Sequence, residues 1–387
     1  MVCAGITLGA EYIEVAYNAA DGTHGASELD PYDLLQDIYD TDVANGWGFF
    51  TLNGSSGHCN GRGIRIQGTT YARLGGISSV MLEISNAPAT YGFYSSTSGK
   101  LSLQSSTIKI NNNNKYLYIS GQAEGLYYNV LQAYRMHIYT GVWNNLNIYR
   151  AQIIYVNGTP TFNNLTLINC DNGLTPYNGN AIYNGLIFIN CDYGIYTYVL
   201  DGTLKITGLK VIGTSGIKFR MWKESTLQLL DSMIDPENYG ILTNDEGTDV
   251  AEFYTTVNVH ITNGTGGTLT IYDKDDNVVY TEVLAGEDMT EQELMWAKRT
   301  ITASGGVAVV NELVYYHPYR IVVTKPGYQD LEIPGIEVRR GEKTDVHGKM
   351  VTSPAPIYYD TEITAVVEQQ QELSGSVEVI ELEATVD

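Results

Sequence analysis

The sequence predicts an all-β protein: a middle region of stacked short parallel strands, then an antiparallel β-sandwich, then an extended C-terminal arm. Three observations carry this reading. The 387 residues include 40 Gly and 30 Tyr, a composition suited to strands closed by tight turns. A segment recurs at about 21-residue spacing in the middle of the chain. The period stops after Asp249, where short alternating strands replace it.

The repeat is nearly literal. Leu165-Thr-Leu-Ile-Asn-Cys-Asp-Asn-Gly-Leu174 matches Leu186-Ile-Phe-Ile-Asn-Cys-Asp-Tyr-Gly-Ile195. A shorter copy runs over Leu209-Lys-Val-Ile-Gly-Thr-Ser-Gly-Ile217, and a weaker one starts at Leu146. About 21 residues make one turn of three short strands, with roughly 4.8 Å between successive turns, so equivalent residues stack directly. Leu165/Leu167 and Leu186/Phe188 alternate inward. Asn169 is expected above or below Asn190, where a corner asparagine satisfies turn amides and bonds to its copy in the next turn. Cys170 and Cys191 stack in the same way. They read either as two small buried residues or as a disulfide between adjacent strands.

The Asn-Cys-Asp-x-Gly corner, repeated each turn, resembles the right-handed parallel β-helix of pectate-lyase-like proteins. Near the N-terminus, Tyr12–Tyr17 reads as a strand. Asp30-Pro31 then reads as a helix start, with Leu34, Leu35 and Ile38 on its apolar face and Asn45-Gly46 at its end. This arrangement resembles the N-terminal cap of such folds. After the repeat, Thr268–Tyr272, Val278–Val283, Gly306–Val310 and Tyr319–Thr324 read as strands, and Glu287–Arg299 as a short helix. Pro318–Tyr328 followed by Ile336–Gly341 is similar to the closing strands of carboxypeptidase-regulatory-like (transthyretin-like) domains. The expected division is 1–46 for the N-terminal strand, loop and capping helix, 47–250 for the β-helix, 251–350 for an immunoglobulin/transthyretin-like sandwich, and 351–387 for an acidic oligomerisation arm. The last 37 residues hold eight carboxylates and no Lys or Arg, and Val377–Val386 largely alternates apolar and acidic residues. An arm that adds a strand to a neighbouring subunit needs that alternation, whereas a loose solvated tail does not.

Charge excludes several partners. Lys and Arg total 22 against 44 Asp and Glu, a formal charge of −22, so nucleic acid and anionic membranes are unfavourable partners. No run of about 18 apolar residues occurs, so no membrane insertion is expected. The first ten residues lack a basic region and a long apolar run, and are not expected to act as a secretory signal. The six His are dispersed and the four Cys form no C-x-x-C pair, so neither a metal site nor a cofactor is expected.

The β-helix resemblance implies a polysaccharide lyase or hydrolase as the enzyme alternative. Between residues 51 and 200 the only acidic residues are Glu83, Glu124, Asp171 and Asp192. Of these, only Asp171 and Asp192 fall in stacked positions, where they could act as a glycosidase pair. They also sit in the repeated turn, where Asp bonds to local amides, and that structural reading is preferred. The bases Arg135, Arg150 and Lys210 have no motif around them. Tyr177, Tyr183, Tyr193, Tyr196 and Tyr198 cluster in two turns, as a sugar-binding surface or as a subunit contact.

A rod, an appended sandwich and an acidic arm together resemble virion proteins of tailed viruses, such as tail spikes, tail fibres, baseplate parts and capsid protrusions. The resemblance implies a non-enzymatic structural protein at the virion surface or outside the cell. It implies a homo-oligomer, a trimer by analogy, that contacts other virion proteins and host surface glycans. A cell-surface adhesin or extracellular filament subunit is the second expectation, and the polysaccharide-degrading enzyme the third.

Overall fold

The computed structural model describes residues 3–8, 12–18, 37–40, 49–52, 57–60, 63–68, 71–85, 91–111, 115–126, 129–131, 133–197, 202–213, 218–221, 224–237, 240–243, 247–285, 290–305, 307–338, 340–341 and 343–354. It is all-β, with a parallel β-solenoid of about five turns at its centre.

Three columns of strands form the sides of the solenoid. The first stacks Tyr116–Leu126, Arg135–Ile138, Ile153–Val156, Leu174–Pro176 and Tyr193–Tyr196 in parallel. The second and third are the two halves of the eight-residue strands Val142–Tyr149, Thr161–Ile168 and Ile182–Ile189. Each of these strands bends in its middle. Trp143, Leu146 and Ile148 all point inward, which simple alternation forbids, because Asn145 between them adopts a left-handed backbone at φ 55°. Asn164 at φ 62°, Gly185 at φ 79°, Gly208 at φ 69° and Asp231 at φ 49° repeat the corner. These residue types tolerate that conformation best. A second left-handed column closes the third side through Arg150, Asn169, Asn190 and Gly213.

Vertical register makes the interior a set of rows. Trp143, Phe162, Tyr183, Ile206, Leu229 and Phe253 form one row, and Leu146, Leu165, Leu186 and Leu209 another, all buried. Gly125 continues this row between Leu103 and Trp143, and a Cβ there would lie 2.5 Å from the Trp143 ring. Its missing side chain makes room for the largest one.

The strand Gly247–Thr262 joins the solenoid to the C-terminal sheets. It pairs antiparallel with Thr290–Ser304 over Gly247–Val259, and in parallel with Thr226–Leu230 over Val250–Tyr254 and with Thr344–Lys349 over Val257–Thr262. The expected division at residue 250 falls inside this strand. Beyond it, a four-stranded antiparallel sheet runs in the order Val278–Val283, Thr268–Tyr272, Tyr319–Thr324, Leu331–Ile336. Its Leu269, Ile271, Ile321 and Val323 share one buried cluster with Val257, Val259 and Ile261 of the long strand.

Three expectations differ from the structure. The short helix expected over Glu287–Arg299 is instead the long strand Thr290–Ser304, because the sheet partner Gly247–Thr262 outweighs local helix propensity. Of the N-terminal helix, Asp37–Asp40 forms a strand antiparallel to Phe49–Leu52, and 19–36 and 41–48 lie outside the described residues. The closing strand ends at Ile336 rather than running from it to Gly341. The arm beyond residue 354 also lies outside the described residues.

Candidate functional site on the aromatic face

The outward positions of the first column build a continuous aromatic surface. Register aligns Tyr94 with Tyr118, Tyr118 with His137, and His137 with Tyr155. The rings obey that register. Tyr94 and Tyr118 stack at 4.9 Å and 13°, and His137 and Tyr155 stack at 4.7 Å and 26°. These separations are close to the rise of one solenoid turn, so the backbone holds the rings at contact distance. Tyr116 stacks on Tyr134 at 6.0 Å, Tyr91 packs edge-on against Tyr116, and Tyr139 lies 5.1 Å from Tyr118. The Arg135 guanidinium sits 5.4 Å from both the Tyr116 and Tyr134 rings, a cation–π arrangement.

Electrostatics reflect this half-buried setting. Burial, with Arg135 beside it, lowers the His137 imidazole to about 4, so it is neutral at physiological pH. Burial and the hydrogen bond to Tyr139 push the Tyr118 hydroxyl up to about 12. Among the described residues, Nε of Arg135 and Nδ1 of His137 are buried without a hydrogen-bond partner. Tyr94 and Tyr118 cover one another's faces, as do His137 and Tyr155. Such a surface suits packing against another surface better than laying a flat sugar ring on an open aromatic face.

The residues singled out from the sequence fall in several places. Tyr177 ends the aromatic surface, 37% exposed and edge-on to Tyr155 at 5.5 Å. Tyr193 and Tyr196 lie on the next turn of the same column, with the Arg220 guanidinium 5.0 Å from the Tyr196 ring. Tyr183 is corrected: it is 2% exposed in the core row, stacked on Phe162 at 5.4 Å, and burial pushes its hydroxyl well above the ordinary tyrosine range. Its inward position results from the left-handed corner at Gly185, which places both Tyr183 and Leu186 inside. Tyr198 lies outside the described residues. Asp171 and Asp192 are exposed on successive turns, where the Tyr193 amide donates to the Asp171 carbonyl.

Asn169 and Asn190 occupy adjacent rungs at φ 52° and 51°. The Asn169 amide donates to Ile189 O at 2.9 Å, and the Asn190 amide to Ile212 O at 3.1 Å. Side-chain ladders run elsewhere. Asn184 donates to Asn163 at 3.0 Å, Asn163 to Asn144 at 2.8 Å, and Asn164 to Asn145 at 3.2 Å. Cys170 and Cys191 are buried free thiols. Contact with Cys191, together with burial, raises the Cys170 thiol above its usual range. Among the described residues, no group of three or more His, Cys, Asp and Glu side chains could hold a metal ion.

Sequence reading misses Tyr94, Tyr116, Tyr118, Arg135, His137 and Tyr155 as a surface. The readable signal is an aromatic residue recurring outside at 94, 118, 137 and 155, in step with the turns. Comparison with family models, with curated proteins and with solved structures returns no match for this chain.

Proposed function

We propose that this chain is a non-enzymatic structural protein of an outward-facing assembly, a tailed-virus virion component of the spike, fibre, baseplate or capsid-surface type. The observation that supports this best is the solenoid interior. Its rows are filled with apolar side chains, and its last turn continues through Gly247–Thr262 into the C-terminal sheets, with one bulge between Phe253 and Tyr254. A stack with that interior is a stiff shaft, and a shared strand couples its orientation to the module it carries. We read the solenoid as a right-handed β-helix. The two sheets after residue 247 are read as a transthyretin-like or immunoglobulin-like sandwich, and the chain as a homo-oligomer, trimeric by analogy.

In this reading the aromatic face is a subunit contact, since its ring faces already cover one another. Glycan contact is then left to the rim, at Tyr177 and Tyr196. Immunogold labelling of purified particles is the test, and labelled virions are the expected result. Release of unsaturated or reducing ends from acidic polysaccharide, abolished in Asp171→Asn or Asp192→Asn, would overturn the non-enzymatic reading.

A further inference from the structure

Two of the six histidines, far apart in the sequence, meet on the C-terminal sheet. The parallel pairing of Gly247–Thr262 with Thr344–Lys349 sets His260 directly beside His347. Their rings stack with centroids 4.6 Å apart and 11° between the planes. Val259, Ile261 and Val346 are buried on the other side of these strands, and a Cβ on Gly348 would run into Ile261, Leu331 and Ile333. Both imidazoles therefore stand on the outer side, His260 half-buried and His347 exposed. The hydrophobic core is filled without either ring.

A neutral imidazole carries one in-plane lone pair on nitrogen, a ligand suited to copper, nickel and zinc ions. Two nitrogens on one ion, each about 2.0–2.1 Å from it at a tetrahedral angle, lie roughly 3.4 Å apart. Rings stacked at 4.6 Å need to converge by only about 1 Å at their nitrogens. Exposed His347 can make that tilt by side-chain rotation. We propose that His260 and His347 together chelate one late first-row divalent ion, copper first in the usual affinity order, with water in the remaining positions. On the same face, Asn258 donates to Asp345 at 2.7 Å one residue pair away, and Lys349 lies beside Thr262 one pair away on the other side. Beyond Asn258, Glu291 pairs with Lys343 at 3.4 Å. The overall charge of −22 draws cations to this chain.

The ion would act as a clamp. Among the described residues, Thr344–Lys349 forms its ladder with Gly247–Thr262 alone. One ligand from each strand ties this last strand to the one that arrives from the solenoid, so binding should stiffen the pairing where the two rings stand. The site depends on no part of the assembly reading above.

Titration of the full chain with Cu²⁺, read by electron paramagnetic resonance, tests this. The bound ion should show hyperfine structure from two imidazole nitrogens. Affinity should fall at least about tenfold in His260→Asn and in His347→Asn alike. His317→Asn, which removes the ring hydrogen-bonded to Glu337 at 2.7 Å, should leave it unchanged. Amides of 344–349 should exchange more slowly with the ion bound, and His347→Asn, at an exposed position, should abolish that slowing. Loss of affinity in only one of the two variants, or in neither, would mean an adventitious ion only and overturn the proposal. Bound copper that leaves exchange at 344–349 unaltered would overturn the clamp.

Discussion

The solenoid and the sheets beyond residue 247 bury similar side chains under different rules. In the solenoid each buried residue contacts its counterpart one turn above and below, so Trp143, Phe162 and Tyr183 constrain one another in a vertical row. In the C-terminal module, Leu269, Ile271, Ile321 and Val323 of the four-stranded sheet share a cluster with Val257, Val259 and Ile261 of the long strand, so the constraint runs between sheets. The first arrangement is local and repeats turn by turn. The second links strands far apart in sequence, such as Thr268–Tyr272 and Tyr319–Thr324.

The largest expected effect separates the two directly. Phe162→Ala removes a fully buried ring from the middle of a row and should cost about 3–5 kcal/mol in chemical denaturation. Hydrogen exchange should then quicken in the turns carrying Trp143 and Tyr183 and stay unchanged at 268–272. Ile321→Ala should cost about 2–5 kcal/mol with the opposite pattern. If both variants loosen both regions equally, the two are one cooperative unit and the contrast fails.

Gly125→Ala is a finer probe, since its Cβ would lie 2.5 Å from the Trp143 ring. It should destabilise by about 1–3 kcal/mol, and less when combined with Trp143→Leu. At the corners, Asn164→Val should cost about 1–2 kcal/mol because of φ 62°, whereas Asn164→Gly should change stability little, as glycine fills the equivalent positions 185 and 208.

The aromatic face gives the smallest and most pH-specific effect. The His137 imidazole is held at about 4 in the folded state against an ordinary value near 6.5, so the unfolded chain takes up the proton first as pH falls. Its contribution is complete above about pH 6.5 and declines between there and pH 4. Tyr116, Tyr118 and Tyr155 surround the ring, and Arg135 is the adjacent cation. His137→Phe should therefore lose less thermal stability than wild type between about pH 7 and pH 4.5. Equal losses would show that the imidazole is not buried among those rings.

Much of this architecture is legible in the sequence because it repeats. Leu165, Leu186 and Leu209 disclose the period, and Asn169 and Asn190 do occupy adjacent rungs. Plain alternation carried through Asn184-Gly185 puts Tyr183 outside, but the left-handed residue there changes the phase. The Asn144-Asn145 and Asn163-Asn164 pairs, 19 residues apart, mark the same corner and could reveal it. The aromatic face is hidden for another reason. Its inward partners Leu117, Met136 and Ile154 vary in shape from turn to turn, which obscures the period that its outward rings keep.

Nitroxide labels at Asp171→Cys and Asp192→Cys, both exposed and one turn apart, test the stacked register most directly. With successive turns roughly 4.8 Å apart, the two labels should show strong short-range dipolar broadening at room temperature and in frozen solution. Spectra equal to the sum of the two singly labelled proteins would mean that these residues are not on adjacent rungs, and would contradict the solenoid.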